Sequence, residues 1–252
     1  MALLTDGNPN DTEALRVFET AILEVARIET IDLDAKLGLA TDEISQEVLD
    51  VLLDHADSPA ERRRVGVSDV VVSPQVKRWH ALHTLAVVYR DAYNNQLNDR
   101  YGKKWDEYRG LALGAKERAL TFGIGIVGTP VVRAGVPTLG IVVGTLAAAT
   151  YYVQVSWVSA GGQEGSASAA TTFQTNDASQ LTVAAVNPPG TATGWNVYVG
   201  LAVSTVTLQN SAPLGIGAAF TMPGSGLVSG RNPSDGQAAE MFVTGGRMLR
   251  RG

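Results

Sequence analysis

The sequence predicts an α + β multidomain protein: an N-terminal helical bundle with a long helical hairpin, then an antiparallel β-sandwich and a short C-terminal tail. Three observations lead there. Of the 252 residues, positions 1–122 hold 15 Lys/Arg and 21 Asp/Glu, whereas positions 123–252 hold only 5 and 4. At the same point the spacing of apolar residues changes from steps of three and four to alternation and short runs. Beyond it, turn clusters rich in Gly, Pro and Asn separate short apolar segments at intervals of roughly 8–12 residues. The expected boundaries are a helical domain over 1–122, a linker over 123–136, a sandwich over 137–231 and a tail over 232–252.

A first helix is expected to start at Asn10-Asp11-Thr12, where short polar side chains cap free backbone N–H groups. Ala14, Val17, Phe18, Ala21, Ile22, Val25 and Ile28 give it one apolar stripe, which Asp32 and Asp34 interrupt. A second helix is capped by Thr41 and buries Ile44, Val48, Leu49, Val51 and Leu52, stopping at Asp57-Ser58-Pro59. Residues 65–72 read as a short strand or an extended loop. Ser73-Pro74 is a strong start, since Ser caps and Pro suits the first helical position. From there Trp79, Leu82, Ala86, Tyr89 and Tyr93 recur at helical spacing, and Tyr101, Trp105, Tyr108, Ala112, Ala115, Ala119 and Phe122 do the same. Two such seams joined by Asn94–Arg100 describe an antiparallel hairpin packed through Trp79, Leu82, Tyr89, Tyr93, Tyr101, Trp105 and Tyr108. Gly102, Gly110 and Gly114 weaken the second helix unless they serve close approach.

Seven strand segments follow: 141–143, 150–158, 167–175, 180–186, 195–201, 205–209 and 218–222. The turns between them include Gly161-Gly-Gln-Glu-Gly165, Asn187-Pro-Pro-Gly190 and Pro223-Gly-Ser-Gly226. Trp195, Val197 and Val199 alternate with Asn196, Tyr198 and Gly200, as in a strand with one buried face. Trp157, Trp195 and Val197 are the expected sandwich core, because large aromatics dominate such cores.

Composition excludes several classes of function. Hydrophobic content of 45% supports a packed core, and a net charge of -5 argues against a protein that wraps nucleic acid. With no cysteine there is no disulfide, thiolate metal site or cysteine nucleophile. Met1-Ala-Leu-Leu-Thr-Asp6-Gly lacks the basic and apolar regions of a signal peptide. The apolar stretch from Thr138 to Val158 is broken by Gly140, Gly144 and polar residues, so it reads as strands, and a soluble chain is expected.

Gly123-Ile-Gly125-Ile-Val-Gly128 matches a dinucleotide-binding fingerprint by letter. That fingerprint needs a strand before it and a helix after it, and here a helix precedes, so a linker is the better reading. His80 and His83 stand one helical turn apart, but a zinc site needs three or four ligands and the only other histidine is His55. Arg62-Arg-Arg64 and Arg250-Arg251 are basic clusters whose bland reading is a solvated turn and a tail. The acidic residues from Glu13 to Asp54 read as a solubilising face, one that also suits a wall past which DNA slides without sticking. No nucleophile elbow and no paired carboxylates in a loop are present, so no enzyme, cofactor or metal is expected.

The helical half, in particular Ser73-Pro-Gln-Val-Lys-Arg-Trp-His80, Tyr89-Arg-Asp-Ala-Tyr93 and Tyr101-Gly-Lys-Lys-Trp105-Asp-Glu-Tyr108, resembles the head–tail adaptor (connector) proteins of tailed bacteriophages. The other half is similar to the Ig/fibronectin-III-like modules of virion proteins. That similarity rests on Tyr151–Ser168, on Gly194-Trp-Asn-Val-Tyr-Val-Gly200 and on Pro213–Gly224. The resemblance implies a homo-oligomeric, commonly dodecameric, ring in the virion neck between portal and tail, made in the host cytoplasm and passing genomic DNA during ejection without sequence-specific binding. Implied partners are the portal protein and downstream neck or tail proteins, with no membrane. In that family a C-terminal arm often docks on the portal, and Arg247, Met248, Leu249, Arg250 and Arg251 are the corresponding segment here. The rival expectation is a tail or surface decoration protein whose sandwich binds host glycan through Trp157, Trp195 and Tyr198.

Overall fold

The structure is a computed structural model that describes residues 1–56, 58, 66–96 and 99–244. The fold is α + β, with helices in the N-terminal part and antiparallel sheets in the C-terminal part. The chain divides into two compact units. One comprises Leu4–Val127 and the described residues from Ala239 on; the other comprises Met1–Leu3 and Gly128–Ala238.

The helical unit contains α1 (Thr12–Phe18), α2 (Ile22–Glu29), α3 (Leu33–Asp54), α4 (Pro74–Gln96) and α5 (Asp99–Phe122). Caps explain the starts. Asp11 accepts from Ala14 N at 2.8 Å, Asp32 from Ala35 N at 3.1 Å, and the Ser73 hydroxyl from Val76 N at 3.3 Å. Thr30 at φ 55° ends α2, and Gly123 at φ 101°, a conformation glycine adopts freely, ends α5. α4 packs against α1, α2, α3 and α5 at once, so it is buried around most of its circumference.

Two sequence expectations are corrected in this region. The single first helix is two helices, because the chain leaves helical geometry at Glu19 and restarts at Ile22. That break shifts the phase of the stripe: Leu15, Ile22 and Ala26 are buried, while Val17 is 83% exposed and Ile28 51%. The next helix begins at Leu33 rather than after Thr41, with Asp32 serving as its cap instead of interrupting a stripe.

Within the expected linker and tail, Ile124–Ile126 and Met241–Val243 are strands. Short strands β1 (Val70–Val71), β2 (Ile124–Ile126) and β11 (Met241–Val243) form an antiparallel sheet in the order β1-β2-β11 within the helical unit. Gly125 lies at its centre, where a Cβ would stand 2.9 Å from both the Ala239 Cβ and a Val71 methyl.

In the other unit, β3 (Thr138–Leu146), β6 (Ser179–Ala184) and β10 (Phe220–Thr221) form a sheet in the order β10-β6-β3. β4 (Thr150–Ser159), β5 (Thr171–Gln174), β7 (Ala192–Gly200) and β8 (Thr207–Leu208) form the facing sheet in the order β5-β4-β7-β8, and β9 (Leu214–Gly215) also pairs with β7. Val153, Val155, Trp157, Trp195 and Val197 from one sheet share a core with Leu181, Val183 and Phe220 from the other. β7 differs from the half-buried strand the alternation predicts: Asn196 and Tyr198, on its other face, are 5% and 0% exposed. A buried Gln237 ties this unit together, with its side chain accepting from Val131 N at 2.6 Å and donating to Thr129 O at 2.9 Å.

Close approach makes Gly165→Ala costly, since its Cβ would stand 2.6 Å from the Val131 carbonyl oxygen. Loss of about 2 kcal/mol is expected, against a gain of up to about 1 kcal/mol for Gly110→Ala, whose Cβ would meet only open space. Urea unfolding of the two variants checks the opposite signs.

Candidate functional site

A groove of about 530 Å³ lies on the helical unit, bounded by α3, α4 and α5. Its floor is apolar: Trp79 is 3% exposed and lies among Ile44, Ala86 and Ala112. Its rim is charged with both signs. Glu43, Glu47 and Asp50 recur at steps of four and three along α3, so they share one face. Opposite them stand His83 and Arg90 from α4 and Arg109 and Lys116 from α5. The His83 Nε2 lies 2.5 Å from a Glu43 oxygen, and Lys116 bonds Glu47, so both sides of the groove are cross-linked to α3. Beside them Arg109 sits 5.5 Å over the Trp105 ring, which is stacked on Tyr93 at 6.1 Å. This arrangement suits a side chain or segment of a partner protein carrying apolar and charged groups together.

The hairpin residues singled out from sequence meet as follows. Tyr89 stacks on Tyr108 with centroids 5.5 Å apart and planes 8° from parallel, and tilts against Tyr101 at 6.2 Å. Leu82, Tyr89 and Tyr108 are buried, while Tyr93, Tyr101 and Trp105 are half-buried. Trp79 joins no ring stack and forms the groove floor instead. Gly102 lets Tyr93 approach to 3.1 Å of where a Cβ would be. The Tyr108 hydroxyl donates to a Glu19 carboxylate oxygen at 3.0 Å, and Lys104 reaches the same oxygen at 3.0 Å. Burial pushes the Tyr108 hydroxyl pKa up, and Glu19 adds to that; burial also raises the Glu19 carboxyl, but the bonds from Lys104 and Tyr108 hold it below its usual value. The early acidic residues are therefore not one solvated face. Glu19 is engaged, Asp32 caps a helix, and Glu29 is only 6% exposed.

His80 and His83 do not converge. His80 is fully buried, its Nδ1 accepting from the Asn10 amide at 3.0 Å and its Nε2 donating to the Leu37 carbonyl at 3.1 Å, with the Thr41 hydroxyl at 3.0 Å. Burial is the main force lowering its pKa, to about 4. Among the described residues no three potential ligands cluster around a metal-sized space. Gly123-Ile-Gly125-Ile-Val-Gly128 follows a helix and carries β2.

In the β unit a second constellation centres on Glu164. Its carboxylate accepts from Ser156 and Tyr198, from Asn196 Nδ2 at 3.1 Å and from Arg231 at 2.5 Å, and Arg231 also lies 5.6 Å over the Tyr198 ring. Burial raises this carboxyl's pKa, yet four hydrogen bonds to the charged form bring it below the usual carboxylate value. Every donor around it is satisfied, so it works as a lock between β4, β7 and the segment at Arg231. Two sequence signals bear on it: Glu164 is the only charged residue from 134 to 176, and it stands in the turn of the Tyr151–Ser168 segment.

Trp157, Trp195 and Val197 lie in the sandwich core at 2%, 1% and 0% exposure. Arg62-Arg-Arg64 and Arg247, Met248, Leu249, Arg250 and Arg251 lie outside the described residues. No helix among the described residues is long and apolar enough to cross a membrane. The chain matches no protein-family model, and no curated protein matches it.

Two outcomes follow from these electrostatics. The unfolded chain protonates a histidine near pH 6.5, whereas folded His80 resists down to about 4, so stability is unaffected above that window and falls as pH drops through it. At about 1.4 kcal/mol per pH unit the loss reaches about 3 kcal/mol. Urea titrations at pH 7 and pH 4.5 are expected to show this loss in the parent chain and a much smaller one in His80→Gln. Separately, Glu164→Gln is expected to lower the stability of the β unit by about 2 kcal/mol at pH 7, because Arg231 and Asn196 then face a partly donating amide.

Proposed function

We propose that this chain is a structural virion protein, a head–tail adaptor that assembles as a ring in a phage neck between portal and tail. The observation that carries the reading is the outward face of α5. Gly110 and Gly114 present no side chain there, and nothing lies within 4 Å of where either Cβ would stand. Leu111 and Leu113 flank them at 45% and 56% exposure. This uncovered stretch of a long, well-anchored hairpin, rimmed at i±3 and i±4 by the exposed Asp106, Glu107, Glu117 and Arg118, accepts a helix of an adjoining copy through apolar and charged contacts together, and a head-to-tail contact of that kind closes into a ring. The exposed carboxylates of α3 outside the groove, at Asp34, Asp42 and Asp54, suit a border past which DNA moves without binding.

In this reading the mixed-charge groove receives a segment of a neighbouring neck protein, and Arg247–Arg251 is the arm offered to the portal. The glycan alternative loses its platform, since Trp157, Trp195 and Tyr198 are 2%, 1% and 0% exposed and cannot stack on a sugar.

Electron microscopy of the purified chain, alone and with its portal, tests the proposal. A closed ring with a channel wide enough for duplex DNA, stacked on the portal, is expected. Gly114→Trp should give a folded chain, by circular dichroism, that no longer closes into rings. A chain that stays monomeric and never engages the portal would overturn the reading.

A further inference from the structure

We propose that the β unit pairs with the β unit of a second copy through the free edge of β3, as a two-fold antiparallel ladder centred on Val142. β3 is the outer strand in the order β10-β6-β3, and among the described residues no strand lies on its other side. Natural edge strands are kept from pairing by charge, by proline or by being very short. β3, Thr-Leu-Gly-Ile-Val-Val-Gly-Thr-Leu, has nine residues and neither a charge nor a proline.

Its apolar residues are out of place for a strand that ends a sheet. In the β3–β6 register Leu139 stands opposite Val183 and Ile141 opposite Leu181, so Leu139, Ile141 and Val143 point to the side on which Leu181 and Val183 are buried. Yet Ile141 is 44% exposed and Val143 93%. The core-facing surface of this sheet therefore extends beyond what the opposite sheet covers. Val142, on the other side of the strand, is 44% exposed as well.

The sequence of the edge says what covers it. Gly140-Ile-Val-Val-Gly144 reads almost the same in both directions. In an antiparallel ladder centred on Val142, that residue faces its own copy, Ile141 faces Val143, and Gly140 faces Gly144. β-Branched residues then meet across the pair, which is the favourable cross-strand combination. An unrelated partner would require no such symmetry. Nothing between Ala134 and Gln163 is charged, so no repulsion opposes an identical strand and no charge steers a different one in. The β3–β6 register shifts after Val143, which limits the new ladder to the stretch around Gly140–Gly144. A two-fold contact closes after two copies, so this pairing is separate from the ring contact and does not rest on it.

The chain has no cysteine, so a single introduced one reports position without interference. Directly opposed residues in an antiparallel ladder have Cα atoms about 4.5–5.5 Å apart, inside the range a disulfide spans. Val142→Cys in the full chain is therefore expected to give a covalent dimer as the main product of mild oxidation on a non-reducing gel. Thr138→Cys serves as control, since two copies of that position would stand about 27 Å apart across the ladder, at 3.4 Å per residue. Adding Val143→Lys to Val142→Cys should abolish the cross-link while the circular dichroism spectrum stays unchanged. Equal cross-linking at positions 142 and 138, none at either, or cross-linking that survives Val143→Lys would overturn the proposal. Ring closure seen by microscopy is a different readout, so either idea can fail alone.

Discussion

The helical unit depends on the burial of α4. Trp79, Leu82, Leu85, Val88 and Tyr89 are what a core helix would be expected to bury, but His80, Ala81, Thr84 and Val87 are buried too. A helix enclosed on nearly every side cannot leave a polar atom unpaired without a cost of about 1–3 kcal/mol. Thr84 meets the requirement by donating to the His80 carbonyl at 2.8 Å, within its own helix. His80 cannot be satisfied locally. Its ring reaches the Leu37 carbonyl on α3 and Asn10, which itself donates to the Lys77 carbonyl at 2.7 Å. One buried imidazole thereby specifies where α3 and the segment before α1 must lie against α4. A wrongly docked arrangement would strand these groups.

Around that centre, α5 is placed by shape more than by polarity. Alanines at 112, 115 and 119 are nearly or fully buried, so the two hairpin helices approach closely along their later turns. Towards the hairpin turn the spacing is filled by rings, with Tyr89 between Tyr101 and Tyr108 and Tyr93 against Trp105. The hairpin's inner face is thus complete within one copy. Left uncovered on the helical unit are the outer face of α5, where nothing lies within 4 Å of a Cβ at Gly110 or Gly114, and the groove beside Trp79.

Much of this was legible in the sequence, and the reasons for the rest are specific. The hairpin stood out because aromatic and small residues repeat at helical spacing for over ten turns, more than chance supplies. The alternation at Trp195, Val197 and Val199 pointed to the sandwich core. Periodicity failed where a short helix ends inside an apolar stripe, as at Glu19, because hydrophobicity carries no record of a break in backbone geometry. Thr41 was read as a cap because Thr caps helices, yet its hydroxyl bonds the Leu37 carbonyl at 3.0 Å in mid-helix. The groove was hidden for another reason. Its acidic rim and its basic rim come from segments some seventy residues apart, as Glu47 and Lys116 show, and pairing across such a distance has no signature in one chain.

The arrangement of strands β2 and β11 changes how the β unit relates to the chain. Gly128–Ala238 is an insertion between two strands that are hydrogen-bonded neighbours, with Ile126 opposite Met241. Pairing of those strands sets Ile126 beside Met241, so the chain leaves the helical unit and returns to it at neighbouring strand positions. β2 completes its sheet only when the chain returns at Met241–Val243, since β1 supplies just two residues on the other side. What composition marked as the start of a trailing tail is therefore partly a strand of the helical unit. The weakly charged, Gly-rich chemistry of residues 128–238 and the charged chemistry of the helices belong to two compact units, and the chain supplies the last strand of the helical unit only after passing through the β unit.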